Sequence, residues 1–319
     1  MGYKILDTAN DSNKSSNGSV KKKGATSFIP IDPEWDFDGP DRVILSSQLR
    51  EQLEDVIAFC KNKNSIIQEW ELYRFMKGSG GCIGINFWGI PGTGKSCAAE
   101  AIAKALGKKI IQASYSSLID SLQGNTEKNI TALFDTAVSE DCVILFDEAD
   151  GLLSARKSGS SNSDSTNLIK SHLLNLLDRS SAIVIFTTNF FKSYDRAFVR
   201  RILWNIEFKA PNEEELVSLW KLHLGVNVPK TISYEELAEL TKSLADSRRM
   251  QVSGGDVRKL TLMFCTRLSA NRITTIDAFN AKKIINKYFD DLQESSTSLT
   301  SKEVKESEIP ENIKKEFNK

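Results

Sequence analysis

GINFWGIPGTGKSCAAEAIAKALG, residues 84–107, sets the architecture of the whole chain. The apolar run at 83–88, from Ile83 to Trp88, predicts a strand buried on both faces. GIPGTGKS, residues 89–96, follows with the spacing G-x-x-x-x-G-K-[ST]. Residues 97–106 are rich in Ala, Glu, Lys and Leu, and Gly107 stops them, so they predict a helix. Strand, glycine loop and helix in this order are the context in which such a loop cradles phosphate. Gly89, Gly92 and Gly94, with Pro91 and Thr93 between them, let the backbone wrap closely around an anion. The loop N–H groups and the helix N-terminus, opened by Cys97, then point at it. Lys95 reaches the β- and γ-phosphates, and the Ser96 hydroxyl ligates Mg²⁺. ATP and Mg²⁺ are therefore the expected cofactors.

A second segment completes such a site. DCVILFDEAD, residues 141–150, is an apolar strand ending in acids. A buried parallel strand delivers its last residues to the C-terminal edge of the sheet, beside the glycine loop. Asp147 is placed to hold Mg²⁺, and Glu148 to orient and deprotonate the attacking water. Further strands are expected at 109–113, 182–189 and 206–208. Helices are expected at 46–61, 66–76, 118–137 (broken near Gly124) and 168–177, and a Ser-rich surface loop at 154–166. From Pro211 the pattern turns all-helical, at 213–224, 234–244, 255–269 and 275–292. The expected fold is α/β: a P-loop NTPase parallel sheet with helices on both faces, followed by a small all-helical lid. Four regions follow: a disordered leader at 1–27, an α/β nucleotide-binding domain with an N-terminal extension at 28–210, a lid at 211–293 and a loose charged tail at 294–319.

Composition narrows the function classes. The 319 residues are 40% hydrophobic and carry 42 basic and 42 acidic side chains, so no net charge favours a polyanionic partner such as nucleic acid. No apolar run reaches the length of a membrane span, and the first residues lack a signal-peptide core. Cys60, Cys82, Cys97, Cys142 and Cys265 are dispersed without C-x-x-C spacing, which predicts reduced thiols and a cytoplasmic location. A helix N-terminus would lower the Cys97 pKa, yet an ordinary cysteine is the preferred reading. Two distant histidines, His172 and His223, argue against zinc.

With these motifs in order, residues 35–290 resemble an AAA+ ATPase of the AAA class, to which spastin, katanin and bacterial single-domain AAA proteins belong. DEADGLLSARK, residues 147–157, resembles the family's DExDxLxxxR segment. The resemblance implies that Asn189, ending AIVIFTTN, is a sensor that positions the attacking water. DRAFVRRI, residues 195–202, resembles the segment whose arginines enter a neighbouring subunit's site. It implies that Arg200 and Arg201 act as fingers in trans, where a guanidinium stabilises the charge on the transferring phosphoryl. SGGDVR, residues 253–258, resembles the start of a second sensor helix, with Gly255 near the nucleotide and Arg258 on the phosphates of its own subunit. An exposed helix arginine is the competing reading for Arg258. Residues 116–125 resemble a pore loop, but Leu122 and Gln123 replace the aromatic–aliphatic pair of substrate-threading relatives.

The implied function is a ring-forming, Mg²⁺-dependent ATPase, a homo-oligomer of hexamer type, that remodels or disassembles a protein or protein complex. Two other classes stay open: a nucleotide-gated assembly scaffold, and a nucleic-acid ATPase of clamp-loader type. Leu122 and Arg258 favour these alternatives, whereas the paired arginines and the acidic strand end favour remodelling.

Overall fold

In the computed structural model, which describes residues 28–72, 81–114, 126–154, 161–189 and 194–307, five parallel strands form one sheet. They are β1 (Ile83–Gly89), β2 (Ile110–Ser114), β3 (Val143–Asp147), β4 (Ile183–Thr188) and β5 (Ile202–Phe208). Their spatial order is β2-β3-β4-β1-β5. Parallel neighbours need crossovers, and helices supply them. These are α2 (Lys95–Ala105), α3 (Thr126–Ser139), the short α4 (Asp150–Leu153), α5 (Ser161–Arg179) and the short α6 (Arg196–Val199). Helix α1 (Ser47–Glu69) precedes the sheet.

The strands alternate their side chains between two cores. Ile83, Ile85, Phe87, Leu145 and Ile185 pack under α1 and α2, whose contributions include Leu53, Val56, Ala98 and Ile102. Ile144, Phe146, Val184 and Phe186 pack under α3 and α5, against Leu133, Phe134 and Leu173. Burial on both faces is why these strands read as unbroken apolar runs. Helices thus cover both faces, as the sequence predicts. The β2 edge is blunted by Ile31, which exchanges two 2.9 Å backbone hydrogen bonds with Ile110.

Register brings three strand ends to one level. Asn86 lies opposite Phe186, and Phe186 opposite Phe146. The ends of β1, β4 and β3 therefore emerge together, carrying Gly89, Asn189 and Asp147. Helices α7 (Glu213–His223), α8 (Tyr234–Asp246), α9 (Gly254–Ser269) and α10 (Ala278–Ser307) surround their own core of Leu216, Trp220, Leu237, Leu260, Phe264 and Phe289. Helices α7, α8 and α9 each begin with a complete capping box, at Asn212, Ser233 and Ser253.

Several elements differ from the expectation. The two helical segments at 46–61 and 66–76 are one helix through Glu69, because the polar link between them contains no Gly or Pro. Within the expected loop at 154–166, residues 161–166 belong to α5. Strand β5 begins at Ile202, not at residue 206, because Ile202, Ile206 and Phe208 alternate inward over exposed Leu203 and Glu207. The tail expected to be loose from 294 is helical to Ser307, since a formed helix propagates cheaply where no Pro or Gly stops it. Residues 1–27, residues 73–76 of the expected second helix, the pore-loop candidate at 116–125 with the start of the helix expected from 118, residues 155–160 of the expected loop and residues 308–319 lie outside the described residues.

Candidate active site

The glycine loop joins β1 to α2 by backbone shapes that need its glycines. Gly92 has φ 79°, and a Cβ there would sit 2.5 Å from Ser253 Oγ and 3.3 Å from Gly255 Cα. Gly89 has φ 143°, and its Cβ would meet the Phe208 carbonyl oxygen at 2.1 Å. A side chain is thus excluded at both, by the lid in one case and by β5 in the other. Helix α2 starts behind Gly94 with no side-chain cap, which leaves its first N–H groups for an anion.

Lys95 is 8% exposed. Its Nζ donates to Gly89 O at 2.7 Å, Ile90 O at 2.9 Å and Asn189 Oδ1 at 3.1 Å. Burial lowers its pKa from 10.5 to about 8, against the opposing pull of Asp150 and Asp147. The ammonium therefore waits in a site that an incoming anion would favour.

The acids stand opposite. Asp147 Oδ1 accepts from Ser96 Oγ at 2.9 Å and also from the Thr187 hydroxyl. A serine hydroxyl beside a carboxylate is an all-oxygen donor set of the kind a small hard divalent cation takes. Glu148 adopts φ 53°, the left-handed region, which turns its exposed side chain out of the strand direction. Its amide donates to Thr187 Oγ1 at 3.1 Å. Asn189 is held at both ends, its side chain on Lys95 and its amide on Asp150 Oδ1 at 3.2 Å.

The lid closes the other wall. Gly255 N donates to Gly92 O at 3.0 Å, so the start of α9 touches the glycine loop directly. Ser253 and Asp256 fix that helix start by reciprocal hydrogen bonds. Between sheet and lid lies a cavity of about 870 Å³ lined by Pro91, Gly92, Thr93, Gly94, Lys95, Ser96, Cys97, Asp147, Glu148, Asn189, Gly255 and Arg258. Burial and then Glu100 push the Cys97 thiol up to about 11, the opposite of the lowering a helix N-terminus alone would give.

The same cavity is lined by residues that the motifs did not flag. Val43 and Ile44 reach it because Val43 N donates to Asp36 O at 2.9 Å, folding the entry segment back over Gly94. With Leu219 and Leu222 they form an apolar wall. His223 faces the cavity too, its pKa lowered by burial and then by the Arg258 charge. Asp150 and Thr187 act as supports for Asn189, Asp147 and Glu148. The third acid of the DEAD run was a visible signal for Asp150. Nothing local in the sequence marks Val43, Ile44 or His223.

Arg200 and Arg201 are absent from this cavity lining. Gly84 pairs with Ile202, so both arginines sit beside the start of β1, at the sheet edge opposite the glycine loop. The structure also divides them. Arg201 forms a fork on Asp178, Nε to Oδ1 at 2.8 Å and Nη2 to Oδ2 at 2.6 Å, and donates from Nη1 to Ala197 O at 3.0 Å. That hydrogen bonding to Asp178 raises its pKa. Arg200, the C-cap of α6, is exposed. The sequence reading gave both one role, and the Asp178 fork is the physical reason to separate them.

Residues 85–210 match the family model described as "ATPase family associated with various cellular activities (AAA)". The chain is 32% identical over 238 residues to the Cell division cycle protein 48 homolog of Archaeoglobus fulgidus, covering 70% of this chain and 32% of that protein. It is 30% identical over 185 residues to an Outer mitochondrial transmembrane helix translocase of Danio rerio, covering 56% of this chain and 46% of the relative. Vacuolar protein sorting-associated protein 4 of Dictyostelium discoideum is 31% identical over 173 residues, covering 51% and 38%. The chain thus spans less than half of the length of each of these relatives. Among the described residues, no helix is long and apolar enough to cross a membrane.

Proposed function

We propose that this chain, whose residues 85–210 belong to the AAA ATPase family, hydrolyses ATP in a Mg²⁺-dependent reaction and works as a ring of identical subunits on a protein client. One observation carries the reading: Lys95, Asp147, Glu148 and Asn189 converge on a single cavity edge beneath the lid. In this reading the loop N–H groups and Lys95 take the phosphates. The apolar wall of Val43, Ile44, Leu219 and Leu222 takes the base. Ser96 and Asp147 would hold the metal, which would supply neutralisation of the phosphate charge. Glu148 accepts the proton of a water as it attacks the γ-phosphorus and the bond to the ADP oxygen breaks. Asn189, fixed between Lys95 and Asp150, orients that water or the γ-phosphate. Arg258 enters from the lid of the same subunit.

Arg200 lies at the far edge of the sheet from its own loop, so its charge is available to a partner copy's site. That supports a ring, with a hexamer as the family's pattern implies. The relatives named for helix translocation and protein sorting favour a protein client over nucleic acid. The five free, dispersed cysteines support a cytoplasmic compartment. Phosphate release from ATP, measured with Mg²⁺ for the parent and for Glu148→Gln, tests the reading. The variant should bind ATP with turnover reduced by orders of magnitude. Wild-type turnover in Glu148→Gln would remove Glu148 from the role of base.

A further inference from the structure

Asn86 lies in the middle of the central strand β1, between Ile85 and Phe87, with no solvent exposure. A primary amide in that position is destabilising unless its polar atoms find partners. Its Nδ2 donates to Asn205 Oδ1 on β5 at 3.1 Å, and its Oδ1 accepts from the Tyr194 hydroxyl at 3.5 Å. The Tyr194 hydroxyl is also hydrogen-bonded to Thr188 Oγ1, at the end of β4. One chain of side chains therefore crosses β4, β1 and β5 on the face that carries Phe186 and Val184. Apolar residues would fill the same space without these demands, so the polar chain calls for an explanation beyond packing.

What it joins is specific. Thr188 precedes Asn189, which faces the cavity and holds Lys95. Tyr194 precedes Asp195, the N-cap of the turn that ends in Arg200. The backbone closes the same circuit. Tyr194 bridges Ser154, and Asp195 N donates to Leu153 O at 2.8 Å. Leu153 ends α4, whose first residue, Asp150, holds the Asn189 amide. The cavity wall and the arginine-bearing turn are thus tied to each other twice, once by backbone and once through a single phenol. The phenol donates to Asn86, and its oxygen can accept from the Thr188 hydroxyl, so one side chain is bonded to both strands. A shift of the β4 end therefore strains both bonds of the phenol.

We propose that Tyr194, seated on Asn86, is a positioning residue that couples the phosphate-facing end of the cavity to the turn carrying Arg200. The inference rests on the nucleotide-site reading above. Occupancy of the site draws on Asn189, the strand end moves with it, and the phenol passes that displacement to residues 194–201. Arg200 then takes its place when the nucleotide is present.

The test is amide hydrogen exchange across residues 194–201 in the Glu148→Gln protein, with and without Mg²⁺ and ATP, beside a separate titration of ATP binding. In Glu148→Gln, bound ATP should slow exchange in this segment about tenfold, and adding Tyr194→Phe should leave about twofold or less at saturating ATP, with affinity changed less than about threefold. With Glu148 intact, and at a temperature where thermal melts show the variant fully folded, Tyr194→Phe should lower kcat about fivefold and leave KM in place. Should Tyr194→Phe fail to fold, Thr188→Val removes the other partner of the phenol and should give the same loss of protection. Equal protection with and without the Tyr194 hydroxyl overturns the inference, and so does a segment that ignores bound ATP. Failure of ATP to bind at all, seen in the titration, instead overturns the nucleotide-site reading on which this one rests.

Discussion

Replacing Arg200 and Arg201 one at a time should give opposite results in two assays. Arg201 holds Asp178 by two short bonds and caps the Ala197 carbonyl, with side-chain exposures of 30% and 42% for the ion pair. Partial exposure keeps a pair of this kind near the upper end of surface values, about 1 kcal/mol, and the carbonyl bond adds about as much again. Arg201→Ala should therefore lower the melting temperature by about 2–6 °C. Asp178→Ala should do nearly the same. The double variant should fall well short of the sum of the two, because the shared ion pair can be lost only once. Among the described residues Arg200 has no such partner to lose, so Arg200→Ala should change stability by less than about 0.5 kcal/mol. Its effect should appear in turnover, with kcat at saturating ATP down about a thousandfold. Circular-dichroism melts and steady-state phosphate release, the latter well below every melting point, read the two quantities. The reasoning fails if Arg201→Ala loses turnover by about a thousandfold while Asp178→Ala keeps it. In that case Arg201 must leave Asp178 to act elsewhere.

Two further outcomes follow from the cavity. Lys95→Met should abolish nucleotide binding and also change how stability depends on pH. The folded lysine releases its proton near pH 8 and the unfolded one near 10.5, so between these values the unfolded chain holds more protons. The parent should therefore gain stability relative to Lys95→Met as pH rises from about 8 towards 10.5; parallel pH profiles in thermal melts would contradict this. Gly92→Ala places a Cβ 2.5 Å from Ser253 Oγ at φ 79° and should push the lid off the loop. Isothermal titration should show ATP affinity reduced about tenfold or more, and an unchanged affinity would mean that the lid contact has no part in binding.

Local patterns carried the sheet, and long-range contacts carried most of what they missed. The runs at Ile83–Gly89, Val143–Asp147 and Ile183–Thr188 are apolar because both strand faces are buried, and that can be read residue by residue. Lys95, Asp147 and Glu148 were legible because a strand end or a loop fixes their place by chain direction alone. Val43, Ile44 and His223 reach the same cavity through a folded-back entry segment and a lid helix, contacts with no local signature. Arg200 and Arg201 look equivalent as neighbours in sequence. Only the packing of α5 beside β5 brings Asp178 to one of them. Asn86 reads as an interruption in an apolar strand until Tyr194 and Asn205, 108 and 119 residues away, are in place around it.

In the proposed ring, Arg200 of a partner copy completes each nucleotide site. Lys95→Ala keeps Arg200 and lacks a working loop, whereas Arg200→Ala keeps the loop and lacks the finger. Each alone should be inactive as an ATPase. Mixed in equal amounts and allowed to exchange, they should form some interfaces with an intact loop facing an intact Arg200, and phosphate release should partly return. Mixtures that stay as inactive as the separate variants, under conditions where subunit exchange is demonstrated, would contradict the claim.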